Sequence, residues 1–409
     1  MMNKLLEYMG KVKKFGIIES LKIMCKRKID VLFCNIIIKI FIRNKPLKNT
    51  IVLASHNDFD TNGGAFYDYL IANGYNKKYR IVWLCRNPQY IPKKLPENVV
   101  CYPWQYPNLR RDIEICNAKY FLADDWVQKK VRPEQISIYC THGVGGLKNV
   151  HGKITIPESV DYILATTEEY NTILAYQISV PYPNKRFISL GYPVDDLLYS
   201  NDRSELYKIT SRKFSKVILW MPTFRKNKWG ERIDGTKEQP LGIPLISNLD
   251  EYNKLNDLLN ELNTLLIIKL HPMQDISNTD ISSLSNIEIL DGEVVKEKRI
   301  DNYRLMRCTD ALISDYSAVA GDYLHLNKQI AYVFDDIDEY RLGLICENLE
   351  DHTAGDFIYS IKDMKEFIRK VYCEDDHYKL KRAKLRSYIF KYSDGNSCKR
   401  LAEFMDLQI

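Results

Sequence analysis

The sequence predicts an α/β protein of two domains, each built on a parallel sheet. Short apolar runs rich in Val, Ile and aromatic residues recur along the chain, with helix-length polar stretches between several of them. That is the pattern of strands buried on both faces. The runs form two series, divided by a passage that carries Gly191, Pro193, Asp195, Asp196, Asn201, Asp202 and Arg203. At 409 residues the chain has length for two or three domains. Its 45% hydrophobic and 27% charged residues are those of an ordinary globular protein.

Residues 1–48 precede the first run and differ from the rest. They carry 12 Lys and Arg against Glu7, Glu19 and Asp30, a local charge of +9 in a chain whose net charge is +6. The most apolar stretch, Val31 to Ile38, is ended by Lys39. A bilayer span needs about 20 apolar residues, so this one is too short to cross. No small-residue cleavage site follows, which argues against a signal peptide. Two readings remain: a basic amphipathic segment lying on an anionic membrane surface, or a first helix packed on the domain with its basic face in water. Nucleic acid is not expected as a partner, because no recognition motif accompanies the charge.

The first series is Ile51–Ala54, Arg80–Leu84, Val99–Tyr102, Tyr120–Ala123, Ile136–Cys140, Tyr162–Ala165 and Phe187–Leu190. In such sheets ligands bind beyond the strand ends. Two ends stand out. The segment from Ser55 to Ala65 includes Asn62, Gly63 and Gly64 and leads into a helix, where it could meet an anion or hydroxyls. Thr141-His142-Gly143-Val144-Gly145-Gly146 sets an imidazole beside bare backbone, and imidazole takes a proton near neutral pH.

The second series is Val217–Trp220, Leu265–Leu270, Ile287–Leu290, Ala311–Ile313 and Ile330–Phe334. Pro222-Thr223-Phe224-Arg225 puts a cation at the first strand end, suited to a bidentate phosphate contact. Lys269-Leu270-His271-Pro272 puts a second histidine at the next. After the fourth run, Ser314-Asp315-Tyr316-Ser317 reads as a polar turn into a helix start, which suits a phosphate. Asp338-Glu339-Tyr340-Arg341 follows the last run, and residues from Glu366 onward read as helical. The ten cysteines are scattered singly, as reduced thiols of a cytoplasmic protein are. No metal-type His/Cys cluster, G-x-S-x-G elbow or Walker loop is present, and no cofactor or metal is expected.

Taken in order, Thr141-His142-Gly143, Gly191-Tyr192-Pro193-x-Asp195, Pro222-Thr223-Phe224-Arg225, His271-Pro272, Ser314-Asp315-Tyr316-Ser317, Asp322 and Asp338-Glu339-Tyr340-Arg341 resemble the CDP-glycerol:poly(glycerophosphate) glycerophosphotransferases of teichoic acid and capsule synthesis. The resemblance covers roughly residues 50–375. Departures are the added glycines at 145 and 146, Ala318 where a second Ser is usual, and Leu342-Gly343-Leu344 in place of a Gly-aromatic pair.

The resemblance implies a GT-B-like fold, two Rossmann-like domains facing a cleft with the nucleotide on the second. The implied division is a basic segment 1–48, an acceptor domain 49–200, a nucleotide domain 201–375 and helices 376–409 returning to the first domain. It implies transfer of a glycerol phosphate, or related polyol phosphate, from a CDP-polyol to a hydroxyl of a lipid-linked or polysaccharide acceptor, with CMP released. His142 is the implied base and His271 the second catalytic histidine. Arg225, Ser314, Asp315, Ser317 and Arg341 are the implied donor ligands, and Asn62 and Gly143 face the acceptor. The implied location is the inner face of the cell membrane. A GT-B glycosyltransferase using a sugar nucleotide is the leading alternative, because fold alone does not decide chemistry. A membrane-bound binding protein with a decayed site is the third, opposed by the retained His142, His271 and Arg225.

Overall fold

Apolar β-branched runs pair most readily where both faces are covered, and here they build two all-parallel sheets. A computed structural model describes residues 25, 28–42, 44–141, 143–225, 234–237, 239–271, 274 and 281–409. The first sheet has seven strands: β1 (Lys48–Ala54), β2 (Arg80–Cys85), β3 (Val99–Pro103), β4 (Ala118–Ala123), β5 (Ile136–Cys140), β6 (Tyr162–Leu164) and β7 (Phe187–Ile188), in the order β3-β2-β1-β4-β5-β6-β7. The order reverses beside β1, so the ends of β1 and β4 flank a crevice. The helix Thr61–Ala72 follows β1 and buries Phe66 and Leu70 against the sheet.

The second sheet has six strands: β8 (Lys216–Trp220), β9 (Thr264–Lys269), β10 (Ile287–Leu290), β11 (Ala311–Ser314), β12 (Gln329–Val333) and β13 (Asp356–Ile358), in the order β10-β9-β8-β11-β12-β13. This is the doubly-wound order, so the switch point lies between β8 and β11. Each domain is Rossmann-like, and together they make the GT-B-like pair. The twelve expected strands stand within one to three residues of their predicted ends. β13 was not anticipated: three residues after Gly355 show no period.

The C-terminal helices Lys379–Ile389 and Ser397–Phe404 touch the first domain. Thr167 donates its N–H to the Ile389 carbonyl (3.1 Å), and Gln408 to the Tyr79 hydroxyl (3.1 Å). Asp196 accepts from the N–H groups of Ser397 and Cys398, both at 2.8 Å.

Residues 28–37 are helical and run into a π-turn, Ile38–Ile42. Cys34, Ile37 and Ile42 pack on Val52 and Val82 of the first sheet, and Asp30 pairs with the buried Arg111 at 2.6 Å. Most of the basic segment, residues 1–24 with 26, 27 and 43, lies outside the described residues. No helix among the described residues is long and apolar enough to cross a membrane.

Candidate active site

The loop after β5 and the turn after β11 come from different domains and touch backbone to backbone. Leu147 donates its N–H to the Tyr316 carbonyl (3.2 Å), and Ile345 to the Leu147 carbonyl (3.0 Å). A Cβ on Gly145 would lie 3.0 Å from the Gly321 Cα, and one on Gly146 would lie 2.9 Å from the Ala318 Cα. Only bare backbone fits there. Gly143 is exposed with φ +74, and an added Cβ would sit 3.4 Å from the Ala318 Cβ. His142 lies outside the described residues, but both neighbours are fixed. Thr141 is buried, its hydroxyl donating to the Leu164 carbonyl (3.1 Å) and sharing a hydrogen bond with the Tyr192 hydroxyl (3.0 Å).

The turn after β11 is organised from below. Arg225 is only 4% exposed. Its Nε and Nη2 donate to Asp336, the latter at 3.0 Å, and its Nη1 to Asp315 (3.1 Å) and the Thr223 carbonyl (2.8 Å). Burial opposes its charge, but Asp315 and Asp336 outweigh burial and push its pKa up. Its fork is therefore taken by carboxylates, which corrects the expectation of a phosphate contact. Asp315 is likewise turned inward, accepting from the Thr223 N–H (2.8 Å) and hydroxyl. Ser314 is the last residue of β11 and fully buried, so it does not face the cleft. The helix that follows, Val319–Tyr323, has one turn, so the expected helix-dipole site is absent here. Ser317 stays half-buried, with Oγ 3.5 Å from the Val319 N–H.

Arg341, His271 and Lys269 stand at or near other strand ends of the same sheet. Arg341 is exposed, beside a stack of Tyr340 on Tyr316 at 3.9 Å. His271 is exposed past the end of β9, its ring 4.8 Å from that of the buried Phe224. Lys269, two residues earlier, is buried. Desolvation pushes its pKa down to about 8, opposed by Asp301.

Asn62 corrects a further expectation. It is buried, donating to the Thr141 carbonyl (3.3 Å) and accepting from the Val194 N–H (3.2 Å). Its amide ties β5 to the inter-domain passage and does not face an acceptor. Among the described residues no cluster of three or more metal-ligating side chains occurs.

The sequence profile of the CDP-Glycerol:Poly(glycerophosphate) glycerophosphotransferases matches residues 36–406. The chain belongs to this family. It is a glycerophosphotransferase-type enzyme, which decides against the sugar-transfer alternative and the decayed binding protein. The teichoic acid glycerol-phosphate primase of Bacillus subtilis (strain 168) is 26% identical, covering 88% of this chain and 92% of its own. The teichoic acid poly(glycerol phosphate) polymerase of Bacillus spizizenii is 24% identical over 83% and 88%. A ribitol-phosphate polymerase of Staphylococcus aureus, TarK, is 24% identical over 70% and 56%. The solved structure of the wall teichoic acid polymerase TagF has the same fold, with a TM-score of 0.70, 19% identity and coverage of 99% of this chain and 97% of that one.

Within the glycerophosphotransferase, two of the three departures from the family pattern now have a physical account. The added glycines and Ala318 are one feature seen from two sides, a close backbone contact that a larger residue on either side would crowd. Asp195 and Asp322, both motif residues, also meet at the domain joint. Asp195 pairs with the buried His325 at 3.1 Å, and Tyr303 donates to Asp322 at 2.8 Å. Burial, with Asp195 adding to it, pushes the Asp322 pKa well up. Nothing in the sequence marked Asp336 as the group that holds the Arg225 fork. Tyr303 and His325 lie in no sequence motif and were not anticipated; each meets a motif carboxylate from elsewhere in the chain.

Proposed function

We propose that this transferase moves a polyol phosphate from a CDP-polyol to a hydroxyl of a lipid-linked acceptor in teichoic acid or capsule synthesis. In the step, the acceptor oxygen bonds to the distal phosphorus of the donor. The bond from that phosphorus to the bridging oxygen breaks, and CMP leaves with the electron pair. The acceptor proton passes to a base. In this reading His142 is that base, suited by its imidazole. His271, Ser317 and Arg341 hold the pyrophosphate and offset the charge on CMP. Arg225, Ser314 and Asp315 position the turn and touch no substrate.

One observation carries the reading. The loop carrying Gly143, Gly145, Gly146 and Leu147 docks on Tyr316, Ala318 and Gly321 of the opposite domain, which brings the Thr141–Leu147 motif of one domain onto the Ser314–Ser317 motif of the other. Binding at an inner membrane surface belongs to the same proposal. The helix at residues 28–37 and its π-turn expose Val31, Leu32, Ile40 and Phe41, and the neighbouring helix Leu109–Asn117 exposes Leu109 and Ile113. Apolar side chains among lysines suit an interfacial helix. The direct test is CMP release by the purified chain with CDP-glycerol, CDP-ribitol and UDP-sugars. Release of CMP from a CDP-polyol supports the proposal, and turnover of a UDP-sugar alone defeats it.

A further inference from the structure

A cavity of about 400 Å³ opens between the domains, and no residue of the Ser317 turn lines it. One wall is the loop after β1, with Asn57, Asp58, Phe59 and Asp60, joined by Asn87 after β2. The other is the segment after β10, with Lys296, Arg299 and Asp301. A second cavity of about 290 Å³ shares Phe59, Asp60, Arg299 and Asp301 with it. Volumes of this size suit a small ligand.

The loop wall is strained. The φ of +50 at Arg299 is the ordinary left-handed end of the helix Gly292–Glu297, whereas Asp58, Phe59 and Thr61 have φ of +68, +56 and +50 within a loop. Such backbone is costly for residues with a Cβ and gathers at ligand sites where the surroundings hold it. The holding groups are visible. Asp58 accepts from the N–H groups of Arg86 (2.9 Å) and Asn87 (2.7 Å), and Asp60 from the Asn57 N–H (3.1 Å) and amide (3.0 Å). The hydroxyl of Thr61 donates to Asp124, and the Phe59 ring lies 4.5 Å from that of Trp83.

The chemistry of the two walls differs. Lys296 and Arg299 are exposed and make no ion pair among the described residues. The facing loop offers carboxylate and amide oxygens, and Asp301 adds a carboxylate that already accepts from the Arg304 N–H at 2.8 Å. A bare anion would meet three carboxylates. A neutral sugar would leave two cations without a partner. A polyol phosphate satisfies both walls, its hydroxyls donating to the oxygens and its phosphate meeting the cations.

Position then selects the donor or the acceptor. β9, whose end carries His271, lies between β10 and β8, and the Ser317 turn follows β11 on the far side of β8. With the nucleotide on that turn, the cavity wall that follows β10 stands across β9 and β8 from the donor, on the side left for an acceptor. We infer that the cavity between the loop 57–60 and the segment 292–301 is an acceptor subsite for a polyol-phosphate unit, with Lys296 and Arg299 on its phosphate. This rests on the polyol-phosphate transfer proposed above.

The test titrates a synthetic glycerol-phosphate trimer, and separately CDP-glycerol and inorganic phosphate, into the full chain and its Lys296→Gln and Arg299→Gln variants. Both side chains are exposed, so the fold should tolerate the changes. Loss of one charge-assisted contact should weaken the trimer about tenfold in each variant, with CDP-glycerol affinity unchanged. Unchanged trimer affinity in both variants overturns the inference, as does a trimer that does not bind the wild-type chain. Loss of CDP-glycerol affinity with intact trimer affinity overturns it by giving the cavity to the donor. Inorganic phosphate binding as tightly as the trimer overturns the polyol half. Failure of the underlying reading is seen separately, as a wild-type chain that binds no CDP-glycerol and releases no CMP.

Discussion

Gly146 and Ala318 meet across the domain joint with no room for a side chain between them. A Cβ on Gly146 would lie 2.9 Å from both the backbone N and the Cα of Ala318. Gly146→Ala should therefore destabilise by about 1–3 kcal/mol through overpacking. Because the clash is with backbone, adding Ala318→Gly should not restore stability. Urea unfolding of the single and double variants checks this. Full rescue by the second change would show that the Ala318 methyl, and not its backbone, limits the approach.

Arg225 and Ser317 should fail in different ways. Arg225→Ala strands Asp315 and Asp336 in the interior, and breaking such a buried pair costs about 3–5 kcal/mol. Ser317→Ala removes one hydroxyl near the cleft, worth about 0.5–1.5 kcal/mol of donor binding. Denaturant melts should single out Arg225→Ala, and CDP-glycerol titration should single out Ser317→Ala. A stable Arg225→Ala protein with weakened donor binding would return Arg225 to the phosphate.

Much of this architecture was legible in the sequence, because parallel strands buried on both faces leave unbroken apolar runs. Ile136–Cys140 and Ile287–Leu290 stand where their residue types put them. Side-chain direction was not legible. A strand-end arginine looks the same whether its fork meets phosphate or, as for Arg225, two carboxylates 90 and 111 residues farther along the chain. Asn62 was misread for the same reason, since its partners Thr141 and Val194 are distant in sequence. The cations Lys296 and Arg299 sit in a charged stretch of ordinary appearance, and only the facing loop gives them meaning.

Lys269 makes stability depend on pH. Its folded pKa is about 8, below the unfolded value near 10.4. Between those values the unfolded chain binds a proton that the folded chain has lost, so stability rises with pH across that window. Below pH 8 the full cost of burying the charge applies. Lys269→Met should therefore be more stable than wild type at pH 7, and the gap should shrink by about 3 kcal/mol on the way to pH 10.4. Denaturation at pH 7, 9 and 10 measures it. A gap that stays constant would mean that the lysine is not desolvated.

Leu32 and Ile40 are exposed at 55% and 66%. If they enter the membrane interface, Leu32→Glu with Ile40→Glu should reduce flotation with anionic vesicles at least tenfold, since each lost apolar side chain forfeits roughly 1–2 kcal/mol. High salt should weaken binding of both proteins through the basic residues. Equal flotation of the two proteins would remove this face from the membrane.

The central claim is that two histidines from opposite domains divide the work of polyol-phosphate transfer. The measurement is CMP release, with CDP-glycerol binding titrated in parallel, for wild type, His142→Ala and His271→Ala. His142→Ala should lose about 10²–10⁴ in turnover, as loss of a general base does, while CDP-glycerol still binds. His271→Ala should lose turnover and donor affinity together. Loss of donor binding in His142→Ala with intact binding in His271→Ala would reverse the two roles, and near-normal CMP release by both variants would contradict the mechanism.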